Sequence, residues 1–236
     1  MTANDIIQRL RPESPLTTLR IPLDSRSSFA DYLSSSKITS CIISSTSIIP
    51  EWLTTELELN GVKYIHIMNG HTPLPVVNLY KTPETLGTDR ISSVIGAFYE
   101  MGCSSAILCI DSGTALTYDI INANGEYIGG NISPGLDMRF NSLHRFTSRL
   151  PLVSPEGELN ETGTSTESAI RNGVIQGIRY EILGYISHFR TKFPGLKVFF
   201  TGGSMEYYAD ISKKYIFADK NIVLKGLNII LNYIQR

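Results

Sequence analysis

Asp111, Gly113 and Thr114 follow directly on an apolar run from Ala106 to Ile110. A second run, Ala115 to Ile121, leaves the same point. The pattern predicts a strand-to-strand bend that carries one carboxylate, one hydroxyl and a stretch of bare backbone. Such a bend can hold a phosphate and the cation that accompanies it. Gly113 lets the main chain come close to the phosphate, turned N–H groups form an anion-binding concavity, and a carboxylate such as Asp111 binds a hard cation through oxygen. An Asp-Gly turn is more often only a turn. The buried strand before it and the second strand after it raise this one above that background.

The surrounding elements follow from periodicity. In the first part, Thr17 to Leu23 is read as a strand, Ser27 to Ser34 as a short helix, and Thr39–Ser44 and Lys63–Met68 as β-branched strands. Pro73, Pro75 and Pro83 keep the loop from His71 to Pro83 extended. A helix is predicted from Thr88, with Ile91, Val94, Ile95 and Phe98 on one face and Gly102 at its end. Asn124-Gly125 signals a two-residue hairpin turn. A short return strand over Glu126–Ile128 leads into a loop from Gly129 to Leu136, then a helix with Leu136, Phe140, Leu143 and Leu150 in register, closed by Pro151. Thr164-Ser-Thr-Glu167 reads as a capping box before a long helix striped by Ile170, Val174, Ile178, Ile182 and Ile186. Val198 to Thr201 reads as a strand, with Gly202-Gly203 opening another helix, and Leu224 to Ile234 as a final amphipathic helix. Strand pairs mixed with helices indicate an α/β sheet that contains antiparallel hairpins.

Bulk composition narrows the function classes. The 236 residues suffice for one large domain or two intimately packed ones. Lys plus Arg (21) nearly balance Asp plus Glu (22), which gives no argument for nucleic acid or an anionic membrane as partner. No apolar run approaches a membrane span, and the N-terminus lacks the regions of a signal peptide. Cys41, Cys103 and Cys109 form no CxxC pair and read as free thiols of a reducing cytoplasm. The 4 histidines have no zinc-ligand spacing.

Five motifs occur in order: Gly87-Thr88-Asp89-Arg90, Asp111-Ser112-Gly113-Thr114, Gly129-Gly-Asn-Ile-Ser-Pro-Gly135, Gly163-Thr-Ser-Thr166 and Thr201-Gly202-Gly203. Together they resemble the type III pantothenate kinases, from about Thr39 to the C-terminus, and Asn221 to Leu227 is similar to the family's last helix. The resemblance implies the actin-like acetate and sugar kinase (ribonuclease H-like) fold, with two similar α/β halves around a cleft. Here the halves would be residues 1–102, incomplete at its start, and 103–236. It implies ATP-dependent phosphorylation of pantothenate to 4'-phosphopantothenate, the first step toward coenzyme A. It also implies a homodimer, Mg²⁺, and K⁺ or NH₄⁺.

The resemblance carries roles residue by residue. Asp89 matches the general base that takes the proton from the hydroxyl of pantothenate; read locally, it lies where helices take N-caps. Tyr80, Gly87, Thr88, Asp89 and Arg90 match the pantothenate-contacting set, with the fork of Arg90 suited to an anionic substrate. Alone, Tyr80 would be packing and Arg90 a surface salt bridge. Asp111 matches the monovalent-cation ligand, and Thr114, with Gly113, an ATP-phosphate contact. Thr166 matches a substrate contact near the subunit interface, against a plain helix cap. Gly202 and Gly203 match the nucleotide-side glycine pair.

One departure bears on activity. The family opens with a strand and an Asp-x-Gly-Asn-Thr phosphate loop, and no glycine precedes Gly61 here. Aligned backward from Tyr80 and Asp89, that loop falls before Met1. A truncated or mis-called start, a divergent member, and a reused scaffold rank in that order as explanations. The leading function class is a metabolic kinase. A pseudokinase or regulatory pantothenate-binding module stands second, and another kinase or a phosphatase of the same broad fold third. The polypeptide as it stands is expected to turn over weakly or not at all. Pantothenate phosphorylation measured with and without a restored N-terminal hairpin tests this, and full turnover by the short form refutes it.

Overall fold

The protein is described here from a computed structural model that covers residues 21, 25–45, 47–208, 211 and 216–236. The strand read over Thr17 to Leu23 lies, Ile21 apart, outside the described residues. In chain order the elements are α1 (Arg26–Ser35), β1 (Ser40–Ile43), α2 (Glu51–Leu59), β2 (Tyr64–Ile67), a short β3 (Val77–Asn78), α3 (Thr88–Glu100), β4 (Ile107–Ser112), β5 (Ala115–Ile121), β6 (Glu126–Pro134), α4 (Leu136–Arg145), α5 (Thr166–Lys192), β7 (Lys197–Thr201), β8 (Ile216–Ala218) and α6 (Ile222–Ile234). Contacts divide the chain into Met1–Gly102 with Asn221–Arg236, and Cys103–Lys220.

In the first unit β1 and β2 pair in parallel, from Ser40 against Tyr64 to Ile43 against Ile67. Leu33, Leu57 and Val62 form a small core with them. α3 is buried from Arg90 to Tyr99, so its apolar surface is wider than the one face expected from the sequence. Each large apolar side chain buried in this way contributes roughly 1.5–3 kcal/mol. Buried Ser92 and Ser93 satisfy their hydroxyls on the carbonyls of Thr88 (2.6 Å) and Arg90 (2.8 Å). α6 lies across α3 with Gly226 facing the carbonyl of Ser92 and Gly96 facing that of Ile222; a Cβ at either position would overlap backbone. Lys225 reaches Glu100 at 3.1 Å, and Gln235 donates to Ser40 Oγ at 2.7 Å.

The second unit holds a sheet in the order β6-β5-β4-β7-β8. β4, β5 and β6 are antiparallel, and β7 runs parallel to β4 and β8. α5 lays Ile170, Val174, Ile178, Ile182 and Ile186 into the core that also holds Leu108, Ile110, Tyr118 and Phe200. The stripe read from the sequence is therefore the buried one. Burial first, and then the carboxylate of Glu181, keep the Tyr118 hydroxyl protonated well beyond the ordinary tyrosine range, and burial pushes Tyr208 up to about 12.

Several local expectations are corrected. β6 continues to Pro134, so the segment read as a loop from Gly129 is mostly strand. Gly130 pairs with Asp119, and the Tyr118 carbonyl occupies the place of a Cβ, which is why a glycine-rich run can be a strand here. α4 stops at Arg145 rather than running on to Leu150. The Thr147 hydroxyl bonds the Leu143 carbonyl (2.7 Å) and accepts from Leu150 N–H (3.3 Å), offering the backbone a local alternative to helix. The β5–β6 connection spans Asn122 to Gly125, longer than a two-residue turn, and Asn122 N–H bonds the Glu126 carbonyl at 3.0 Å. The capping box on α5 is built by Ser165 and Ser168, one residue past the pair read from the sequence. Gly202-Gly203 leads first into a 3-10 turn, Met205–Tyr208, and Ile211 beyond it is helical, with the rest of that expected helix outside the described residues.

The α3–α6 crossing makes Gly226 a sensitive position. Gly226→Ala is expected to lower unfolding stability by about 1–3 kcal/mol through overpacking, read as a shift of the urea midpoint. An unchanged midpoint would show that the helices part at no cost.

Candidate active site

In the first unit the site residues gather at the N-terminus of α3. Gly87 is the N-cap and makes no side-chain cap bond, Thr88 is the first helical residue, and Asp89 the second. Asp89 is thus not the cap that local sequence suggested. Its Oδ1 accepts the Arg90 N–H at 2.8 Å. The carboxylate folds back over Gly87 so closely that a Cβ there would stand 2.6 Å from Oδ1. Gly87 therefore shapes the space that Asp89 uses. The helix N-terminus also favours a negative charge at this position.

Arg90 is buried, and its guanidinium lies over the Tyr80 ring, 5.8 Å from the centroid. The contact is a cation–π pair, and it brings Tyr80 to the Gly87–Arg90 turn. The loop that delivers Tyr80 is tied to α3 further along by Tyr99, whose hydroxyl donates to the Pro75 carbonyl at 3.3 Å. The Thr88 hydroxyl meets Ser44 Oγ at 2.7 Å. Sequence reading did not single out Ser44, since nothing in periodicity reveals a bond across 44 positions.

In the second unit Asp111 and Ser112 end β4, and Gly113-Thr114 turn the chain into β5. The Gly113 N–H bonds the Ala115 carbonyl (3.1 Å), and the Gly135 N–H bonds the Thr114 carbonyl (3.1 Å). Gly135 packs against the carbonyls of Gly113 and Thr114, with no room for a Cβ. From the other side Gly202, at φ +103°, lies against the turn: a Cβ would stand 2.5 Å from the Ser112 carbonyl and 2.6 Å from Asp111 Oδ1. The Ser204 N–H donates to the Ser112 carbonyl at 3.1 Å. Asp111, Gly113, Thr114 and Gly202 thus form one cluster, with Gly203 the next residue along. Gly135 belongs to it as well, through the glycine motif that sequence reading left without a role.

Thr166 is the first residue of α5, directly after the Ser165 cap. It lines a cavity of about 620 Å³ with Arg139, Leu143, Leu150, Ile170 and Val174. Arg139 is held there by Glu181, the Pro134 carbonyl (2.8 Å) and Ser133 Oγ (2.8 Å). It stands one helical turn from Gly135, roughly 5–6 Å along α4. α4 therefore links the Thr114 turn to the Thr166 cavity within this unit.

Among the described residues no group of three or more His, Cys, Asp or Glu side chains is arranged to hold a metal ion. One carboxylate beside a bent backbone suits a cation that takes its other oxygens from phosphate and water. Among the described residues no helix is long and apolar enough to cross a membrane.

The chain shares its α/β fold with a solved structure of a Baf family transcriptional activator from Campylobacter jejuni. The TM-score is 0.55 at 22% identity, covering 88% of each chain. The mixed α/β architecture agrees with the α/β class expected from the sequence. The family model for type III pantothenate kinase matches residues 23–188. A type III pantothenate kinase of Bacteroides fragilis is 54% identical over 166 residues, 70% of this chain and 68% of that one. Another, from Phocaeicola vulgatus, is 47% identical over 192 residues, 81% and 78% of the two chains. The chain belongs to the type III pantothenate kinase family.

Because Gly202 combines a positive φ with no space for a Cβ, Gly202→Ala is expected to destabilise the fold by about 1–3 kcal/mol. Thermal or urea unfolding reads the effect, and a neutral variant would mean that the Asp111 turn yields freely.

Proposed function

We propose that this chain transfers the γ-phosphoryl group of ATP to the primary hydroxyl of pantothenate, giving 4'-phosphopantothenate and ADP. The observation that carries the reading is the family match over residues 23–188, within which Gly87-Thr88-Asp89-Arg90 forms the first turn of a buried helix. Asp89 takes the hydroxyl proton as the new O–P bond forms and the bond between the γ-phosphorus and the β–γ bridging oxygen breaks. Its place at the helix N-terminus, held by the Arg90 N–H, suits that role. Arg90, steadied by Tyr80, faces the substrate's negative charge with a rigid donor fork, and Gly87 and Thr88 complete the pantothenate contacts.

Thr114 and Gly113 take the phosphates, with turn N–H groups as donors. Gly202 and Gly203 lie on the nucleotide side. Asp111 would hold the monovalent cation, K⁺ or NH₄⁺, and Mg²⁺ would enter with the nucleotide; when bound, such cations neutralise phosphate charge. Most of the rate enhancement in this chemistry comes from positioning and electrostatics.

Thr166 is placed by the same reading at a substrate site near the interface of a homodimer. Exposed apolar side chains in the segment that follows α4 support that: Phe146 is 82% and Leu152 57% exposed. A cytoplasmic location is supported by Cys41, Cys103 and Cys109, none of which is in a disulfide.

Coupled ADP release on mixing the chain with ATP and pantothenate tests the function. Pantothenate binding without ADP release would instead support a regulatory, non-catalytic role. Asp89→Asn is expected to cut turnover by about 10²–10⁴-fold while calorimetry still detects pantothenate; unchanged turnover removes Asp89 as the base. Asp111→Asn is expected to flatten the K⁺ dependence of the rate, and an unaltered K⁺ titration removes Asp111 as the cation ligand.

A further inference from the structure

We infer that Ser44 is a positioning residue for pantothenate: its hydroxyl fixes that of Thr88, and so sets how tightly the vitamin binds. The inference rests on the proposed function and deepens it. Ser44 is the first residue beyond β1, and that strand end is itself anchored. Ile43 pairs with Ile67 in the parallel register, and its carbonyl accepts the Met68 N–H at 2.9 Å. Thr88 is equally constrained on the other side. It opens α3, and its carbonyl accepts Ser92 Oγ at 2.6 Å from within the helix. The 2.7 Å Ser44–Thr88 bond joins these two fixed points.

The N-cap of α3 is Gly87, which has no side chain to organise the turn. Asp89 uses Oδ1 on the adjacent Arg90 N–H. The Ser44 hydroxyl therefore supplies, from outside the helix, an orienting contact that the cap residue lacks. A threonine hydroxyl has few rotamers, and a partner at 2.7 Å selects among them. It also sets polarity. When Ser44 donates, the Thr88 proton turns toward an acceptor on the ligand; when Thr88 donates, its lone pairs turn there instead. Both residues are half-buried, so the pair is partly shielded without being sealed from a ligand.

Calorimetric titration of pantothenate into the full chain tests this, with the melting temperature of each variant read alongside. Ser44→Ala is expected to weaken binding about 5-fold, the usual value of one hydrogen bond, and Ser44→Thr to restore it. In a Thr88→Val background, Ser44→Ala is expected to cause no further loss, because the two hydroxyls act as one unit. Ser44→Cys keeps the volume, loses the strong bond and gives the same weakening should Ser44→Ala fail to fold. Equal affinity for wild type and a folded Ser44→Ala overturns the inference, as does a loss that adds fully to that of Thr88→Val. A wild-type chain that takes up no pantothenate overturns the proposed function, and this inference with it.

Discussion

Asp111 sits on a turn with backbone packed against it from two directions. Gly135 closes on the carbonyls of Gly113 and Thr114, and Gly202 closes on Ser112 and on the Asp111 carboxylate. Neither neighbour has a side chain, so the approach is main chain to main chain, and interiors packed at this density do not deform gradually. Three pieces of the second unit meet there: the β4–β5 bend, the end of β7 and the start of α4. Moving any of them moves the carboxylate. The same α4 carries Arg139, and with it a wall of the Thr166 cavity. The geometry of that unit's candidate site thus depends on two missing Cβ atoms more than on any ion pair.

The first unit solves a similar problem with a different device. α3 is buried along most of its length, so its direction is set by packing, with α6 crossing at Gly96 and Gly226. Packing alone leaves the exposed end of such a helix free to fray. The Arg90–Tyr80 contact, the Asp89 carboxylate over Gly87 and the Ser44–Thr88 bond all act at that end. They fasten the turn that carries the proposed base to a loop, to its own backbone and to a strand.

Much of this was legible in the chain. The α/β class, the start of α3, the isoleucine stripe of α5 and the turn at Asp111 each leave a local mark: a period, a glycine, a proline. Ordered motifs identified the family because they combine positions far apart in sequence. What failed to show was non-local. Gly129–Pro134 reads as a loop until β5 is beside it. The cap of α5 moved from Thr164 to Ser165 because both residues have cap chemistry and only backbone geometry chooses between them. α2 went unread although Pro50 stands at its start, because Trp52, Leu53, Leu57 and Leu59 do not recur at a regular helical spacing. Ser44 was one serine in a serine-rich patch until Thr88 was placed 2.7 Å from it.

The two carboxylates illustrate what phosphoryl transfer asks of a protein. The transition state is loose, with charge spread over equatorial oxygens, and it leaves little covalent work to side chains. A base in such a reaction needs a fixed location near the attacking oxygen more than unusual proton affinity. Asp89 has the means for that: a helix N-terminus, an N–H donor at 2.8 Å and a neighbour without a side chain. Asp111 has the corresponding constraint from Gly202. Enlarging either glycine would leave every charge in place and still displace an oxygen by a substantial part of a bond length. In a reaction governed by positioning, small displacements carry large rate penalties, of the order of 10²-fold for 1 Å. In the proposed reaction the glycines therefore govern the chemistry through the placement of the two carboxylates although they supply no reactive group.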